Sequence, residues 1–225
     1  MTNPILKIND VTKIYGEGDN KVVAVDSVTL SITRGEVLLI MGPSGSGKTT
    51  LLSMMGCILR PTKGDVVVDE QLITDFTEDA LPDIRKRYFG FVFQSFNLFP
   101  SLKAVENVEL VLRLKNHDKK EMRKEALKLL ETVGLGKRTN FYPEDLSGGE
   151  KQRVAFARAL AGEPAIILAD EPTGNLDSKT GMMVLKLLRD IAENFEKAVA
   201  IVSHDPKALD TAHRVVHLED GRIKA

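Results

Sequence analysis

The stretch Gly42-Pro-Ser-Gly-Ser-Gly-Lys48-Thr49 sets glycines, a lysine and a hydroxyl at the G-x-x-x-x-G-K-[ST] spacing. That spacing suits a nucleoside triphosphate. Glycines let consecutive backbone N–H groups converge on phosphate oxygens, and the start of a following helix adds a favourable dipole. Lys48 can then reach the β- and γ-phosphates, and the Thr49 hydroxyl can ligate magnesium. The apolar run Val37–Met41 precedes the loop and Leu51-Leu52-Ser53-Met54-Met55 follows it. A glycine-rich turn with a lysine nearby is the plainer reading, and the flanking strand and helix set it aside.

A second cluster is acidic: Ile166-Ile167-Leu168-Ala169 runs into Asp170-Glu171. A buried strand has a rigid tip, which suits holding a metal and a water. Asp170 is the candidate for the magnesium shell, and Glu171 for taking a proton from the water that attacks the γ-phosphate. A solvated strand end turning at Pro172 is the bland alternative, weakened because a phosphate loop of this kind needs an acidic partner. A third cluster, Ser147-Gly148-Gly149-Glu150, has the S-x-x-E form of a capping box opening the helix Val154–Leu160. A serine and two glycines at a helix start also make a second anion site. One chain has little use for two phosphate cradles. Two chains packed head-to-tail do, each cradle facing the other's nucleotide.

The elements that must position these groups are legible in the hydrophobic pattern. Val37–Met41, Ala165–Ala169 and Ala198–Val202 are continuous apolar runs, which suit strands of a parallel sheet buried on both faces. Each ends in a polar cluster: Gly42–Thr50, Asp170-Glu171 and Ser203-His204. Ligands of open α/β sheets bind beyond the carboxyl ends of the strands, so the three tips point to one shared site. Earlier, Val23, Val25, Val28, Leu30 and Ile32 alternate as half-buried antiparallel strands do. Met122, Ala126, Leu129, Leu130 and Val133 predict an amphipathic helix stopped at Gly134. A second helix is expected from about Ser178 to Glu193, and Asp220-Gly221 reads as a hairpin turn near the end.

At 225 residues the chain fits one α/β domain. The net charge of -1 gives no electrostatic case for nucleic acid, and none is expected as a partner. The one cysteine, Cys57, rules out an internal disulfide and fits a reducing compartment. The first residues lack a signal-peptide pattern, and no run of roughly 18 apolar residues occurs, so a cytoplasmic protein is expected, with any membrane role exerted through a partner.

In combination these motifs resemble the ABC transporter nucleotide-binding domains, whose signature is LSGGQ; here Leu146–Glu150 reads LSGGE. Gln94 in Phe91-Val92-Phe93-Gln94 matches that family's Q-loop, Asn175-Leu176-Asp177 its D-loop, and His204 its switch histidine. Tyr15 sits where the family has an aromatic that stacks on adenine, although a lone tyrosine is more often a core or surface residue. The resemblance implies a P-loop NTPase core with a parallel sheet, an N-terminal antiparallel β subdomain and an inserted helical subdomain. A single domain over 1–225 is expected. Its β part would cover about 1–36 and 63–75, its core about 37–62 and 161–225, and its helical insertion about 95–160.

The resemblance implies ATP and Mg2+ as cofactors, and a second copy and an integral membrane permease-type subunit as partners. Gly42, Ser44, Gly45, Ser46, Gly47, Lys48, Thr49 and Thr50 would bind nucleotide in cis. Ser147, Gly148 and Gly149 would bind it in trans, with Asp177 nearby. Thr49, Gln94 and Asp170 would tend the metal, and Glu171, His204, Gln94 and Lys48 the chemistry. Gly90–Pro100, Glu106-Asn107-Val108 and Asp170–Gly181 look like the MacB/LolD/FtsE branch, which drives efflux, lipoprotein release or cell-wall hydrolase control. Phe96, Leu98 and Phe99 then either form an exposed patch for the permease or pack into the core. A soluble ABC-type ATPase or a nucleotide-gated regulator is the alternative. The first would carry a coiled-coil insertion or a second cassette, and the second would have lost Glu171 or His204.

Overall fold

In a computed structural model, described over residues 3–224, the chain forms two sheets and six helices. In chain order these are β1 (Leu6–Tyr15), β2 (Val22–Ile32), β3 (Val37–Met41), α1 (Lys48–Met55), β4 (Lys63–Val68), β5 (Gln71–Leu72), α2 (Leu81–Tyr88) and β6 (Phe89–Val92). Then follow α3 (Ala104–Leu114), α4 (Lys119–Thr132), α5 (Gly148–Leu160), β7 (Ile166–Asp170), α6 (Ser178–Phe195), β8 (Ala198–Ser203), β9 (Arg214–Glu219) and β10 (Arg222–Lys224).

The six-stranded sheet has the order β10-β9-β3-β8-β7-β6, parallel throughout except for β10. The three apolar runs are its centre, and alternation divides each between two cores. Leu38, Ile40, Ile166, Leu168, Ala200 and Val202 face α1 and the antiparallel sheet. Val37, Leu39, Ile167, Ala169, Val199 and Ile201 face the helices of the other side. All are essentially inaccessible to water, and each large side chain so buried stabilises the fold by about 1.5–3 kcal/mol. Burial on both faces is what removes the polar alternation from these strands.

The smaller sheet, β2-β1-β4-β5, is antiparallel. Val25 and Val28 are both buried although three residues apart, because Ser27 adopts a left-handed conformation (φ 53°) and bulges β2 by one residue. The Ser27 N–H, displaced from the ladder, donates to Thr12 Oγ1 at 3.1 Å. Val23, read as part of the buried alternation, is instead exposed.

Candidate active site

The loop between β3 and α1 is clamped from both sides. A Cβ on Gly42 would lie 2.0 Å from the Leu218 carbonyl oxygen, and one on Gly47 would lie 2.2 Å from that of Ala24. Gly47 is also left-handed (φ 98°) at the cap of α1, so no other residue type fits there without displacing backbone. The turn between β9 and β10 props the loop, its Gly221 N–H donating to the Ser46 carbonyl at 3.1 Å. The Ser46 side chain is buried beneath, its hydroxyl without a partner. Lys48 is nearly buried and folds back, its Nζ donating to the Gly42 and Pro43 carbonyls at 2.9 and 2.8 Å. An ammonium carries three protons, so one donor remains to be used.

The tips of β7 and β8 converge on the same place. Thr49 Oγ1 donates to Asp170 Oδ1 at 3.2 Å, joining the helix start to the strand tip. Burial raises the Asp170 pKa above the ordinary carboxylate value; the Thr49 bond opposes this, Glu171 adds to it, and Lys48 opposes it. Glu171 is left-handed (φ 45°), a costly conformation for a non-glycine residue, and its N–H continues the sheet by donating to Val202 O at 2.9 Å. Its side chain is held at both oxygens. His204 Nδ1 lies 2.9 Å from Oε1, and Ser203 Oγ donates to Oε2 at 3.3 Å. An open cleft of about 640 Å³ connects these groups, lined by Ser44, Gly45, Gly47, Lys48, Thr49, Thr50, Gln94, Glu171 and His204.

Other expected residues lie outside the cleft lining. Tyr15 ends β1, 43 % exposed as a residue, with Lys13 Nζ 5.5 Å from its ring centroid. Ser147 caps α5 in a reciprocal box: Glu150 N–H donates to Ser147 Oγ at 3.3 Å, while Glu150 Oε2 accepts from Ser147 N and Oγ at 2.9 and 2.8 Å. Gly149 abuts α6, where a Cβ would meet Thr180 Cγ2 at 2.2 Å, and Gly148 faces Leu176 and the Asn175 carbonyl. Asp177 caps α6, accepting from Lys179 N and Thr180 N at 3.0 Å each. The carbonyl of Gln94 accepts from Asn175 Nδ2 at 2.9 Å, which ties the loop after β6 to the segment after β7.

Beyond Gln94 the chain is pinned in an unusual shape. Phe96 and Asn97 are left-handed, and the half-buried Arg158 guanidinium donates to both their carbonyls. Asn107, wholly buried, accepts from Phe99 N at 2.8 Å and donates to Leu102 O at 2.9 Å. The loop so held keeps Phe96 and Leu98 half-buried and displays Phe99, which is 50 % exposed.

The family profile described as ABC transporter matches residues 25–174. An uncharacterised ABC transporter ATP-binding protein of Thermotoga maritima is 47 % identical over 220 residues, 98 % of this chain and 94 % of that protein. The cassette MJ0796 of Methanocaldococcus jannaschii, solved as a dimer, superposes with a TM-score of 0.90 at 46 % identity, covering 98 % of this chain and 97 % of that one. The chain belongs to the ABC transporter family. A macrolide export ATP-binding/permease protein, MacB, of Hyphomonas neptunium is 43 % identical over 223 residues, 99 % of this chain and 34 % of the longer relative. As an ABC ATPase the chain binds and hydrolyses ATP, and its fold is that of the ABC cassette.

Three residues of this ABC site went unread in the sequence. Ala24 and Pro43 line the cleft, but through position alone. Gln152, on α5, is fully buried and donates from Nε2 to the Pro172 carbonyl at 2.9 Å. Flanked by Lys151 and Arg153 ahead of the apolar Val154-Ala155-Phe156, it carries no sequence signal of its burial.

Proposed function

We propose that the chain is one half of an ATP-clamped pair that drives a membrane permease from its cytoplasmic face, for export, lipoprotein release or mechanical signalling. The observation that carries this is a separation within one chain. Lys48, Thr49, Glu171 and His204 share the cleft, whereas no residue lining it comes from α5, whose start carries Ser147, Gly148 and Gly149. A second copy supplies the missing half. The MJ0796 cassette is a dimer, in one structure bound to ADP and Pi, and the MacB relatives are named as ATP-binding/permease proteins, which supports both partners. Among the described residues no helix is long and apolar enough to cross a membrane, and Phe99 is the candidate contact with the permease.

Within each cleft Lys48 leaves the loop carbonyls for the β- and γ-phosphates, and the N–H groups of residues 44–50 cradle them. The donors suit Mg2+: Thr49 Oγ1 and Asp170 Oδ1 are hard oxygens 3.2 Å apart, and Gln94 adds an amide at the cleft wall. Bound there, the ion would neutralise charge on the phosphates. Glu171 accepts the proton of the attacking water, with His204 and Ser203 fixing its carboxylate and His204 near the γ-phosphate. The exposed ring of Tyr15 takes the adenine, and Ser147 and Gly149 reach the nucleotide of the other copy, with Asp177 holding α6 beside them.

Light scattering of Glu171→Gln with and without ATP and magnesium tests the reading. A mass that doubles only with ATP supports it, and Ser147→Arg in the same background should return the monomer. A chain that binds ATP and stays monomeric would count against the shared site.

A further inference from the structure

We infer that Gln152 is a positioning residue for Glu171, acting through the peptide that follows it. The inference rests on the reading of Glu171 as the base. Glu171 holds a left-handed conformation immediately before a proline, which restricts its backbone further. Two backbone bonds secure it: its N–H donates to Val202 O at 2.9 Å, and its carbonyl accepts from Gly174 N at 3.1 Å. Pro172 has no N–H to offer. The next peptide is therefore held from outside, by Gln152 Nε2 on the Pro172 carbonyl at 2.9 Å.

The amide is poorly used as a source of stability. Gln152 is 0 % exposed, and its Oε1 is buried without a partner. Turning the amide over would set its oxygen against the Pro172 oxygen, so the bond fixes the orientation and leaves Oε1 orphaned. A buried group satisfied at one end only is a weak stabiliser, and an apolar side chain would fill the space as well. What the glutamine adds is direction. It ties the tip that carries Glu171 to α5, whose first residues face the other copy's nucleotide in the proposed pair. Each chain's own base and the cradle it offers its partner thus move as one body.

Steady-state ATP hydrolysis by the full chain carrying Gln152→Leu tests this. Loosening the base without touching the phosphate loop should lower kcat about 10- to 100-fold, with KM for ATP within about twofold. The melting temperature should change little, because one orphaned oxygen replaces another. Should that variant not fold, Gln152→Asn keeps an amide one methylene short of Pro172, and the same kcat loss is expected. In a Gln152→Leu, Glu171→Gln double variant, ATP-dependent pairing should persist. An unchanged kcat in a folded variant, a rise in KM alone, or loss of pairing in the double variant overturns the inference. A parental rate in Glu171→Gln would instead remove the reading of Glu171 as the base, so the two failures are distinguishable.

Discussion

Glu171 and His204 stand on adjacent strand tips and meet at 2.9 Å between Oε1 and Nδ1. The His204 side chain is 67 % exposed and that of Glu171 only 15 %, so the pair joins a sheltered carboxylate to a solvent-facing ring. An exposed pair of this kind adds about 0–1 kcal/mol to stability. Its value lies in fixing which carboxylate lone pairs remain for water. His204→Ala is expected to lower kcat about 10- to 100-fold through misplacement of the base. The melting temperature should stay within about 4 °C, since a loss of up to about 1 kcal/mol moves a domain of this size no further. Hydrolysis and a thermal melt on the same preparation check it; a large melt shift with normal kcat would make the pair structural.

The phosphate loop is intolerant of a methyl group at Gly47, where left-handed backbone and the Ala24 carbonyl 2.2 Å from a Cβ act together. Gly47→Ala should lower the melting temperature and remove the nucleotide response. In the parent, ATP at 100 times its Kd should add about 2.7 kcal/mol, a rise of about 5–10 °C. Melts with and without ATP decide it, and a variant that keeps the rise would show the loop more adaptable than its packing implies.

The single thiol offers a probe of the core. Cys57 is 4 % exposed, and burial pushes its pKa up to about 12 against the pull of Arg85 and Arg60. The thiolate is the reactive form, so labelling at pH 8 should be negligible in the folded chain and reach one equivalent in denaturant. Rapid labelling of the native protein would place Cys57 at a surface.

The parallel core and its strand-tip clusters were legible because burial on both faces forces continuous apolar runs, and function places polar groups at their ends. α3 was not read. Its N-cap is Lys103, whose side chain cannot accept a hydrogen bond, and only half a capping box is present, Glu106 Oε2 accepting from Lys103 N at 2.7 Å. β6 was missed as a strand because Phe89-Gly90-Phe91-Val92 is short and carries a glycine. Gln152 was hidden for a deeper reason. Its role depends on Pro172, twenty residues away, and no local pattern encodes that contact.

Glu150 gives the pH signature of the signature helix. The Ser147 backbone N–H lowers its pKa below the ordinary 4.5 against the opposing effect of burial, and the Ser147 hydroxyl and Arg138 lower it further. A carboxylate whose folded pKa is depressed stabilises the fold fully above its unfolded value, and loses that contribution as pH falls through the folded one. Glu150→Gln keeps an acceptor for the capping box but removes the charge at the helix start and the Arg138 ion pair, 3.0 Å in the parent. At pH 7 the variant should be less stable by about 0.3–1 kcal/mol, the usual worth of a charge at a helix N-terminus. Below pH 4.5 the gap should narrow and then close as Glu150 takes up a proton. Urea midpoints at pH 7, 5, 4 and 3.5 for both proteins check it. A difference that stays constant across this range would mean that the box is held by hydrogen bonding alone, with charge contributing nothing.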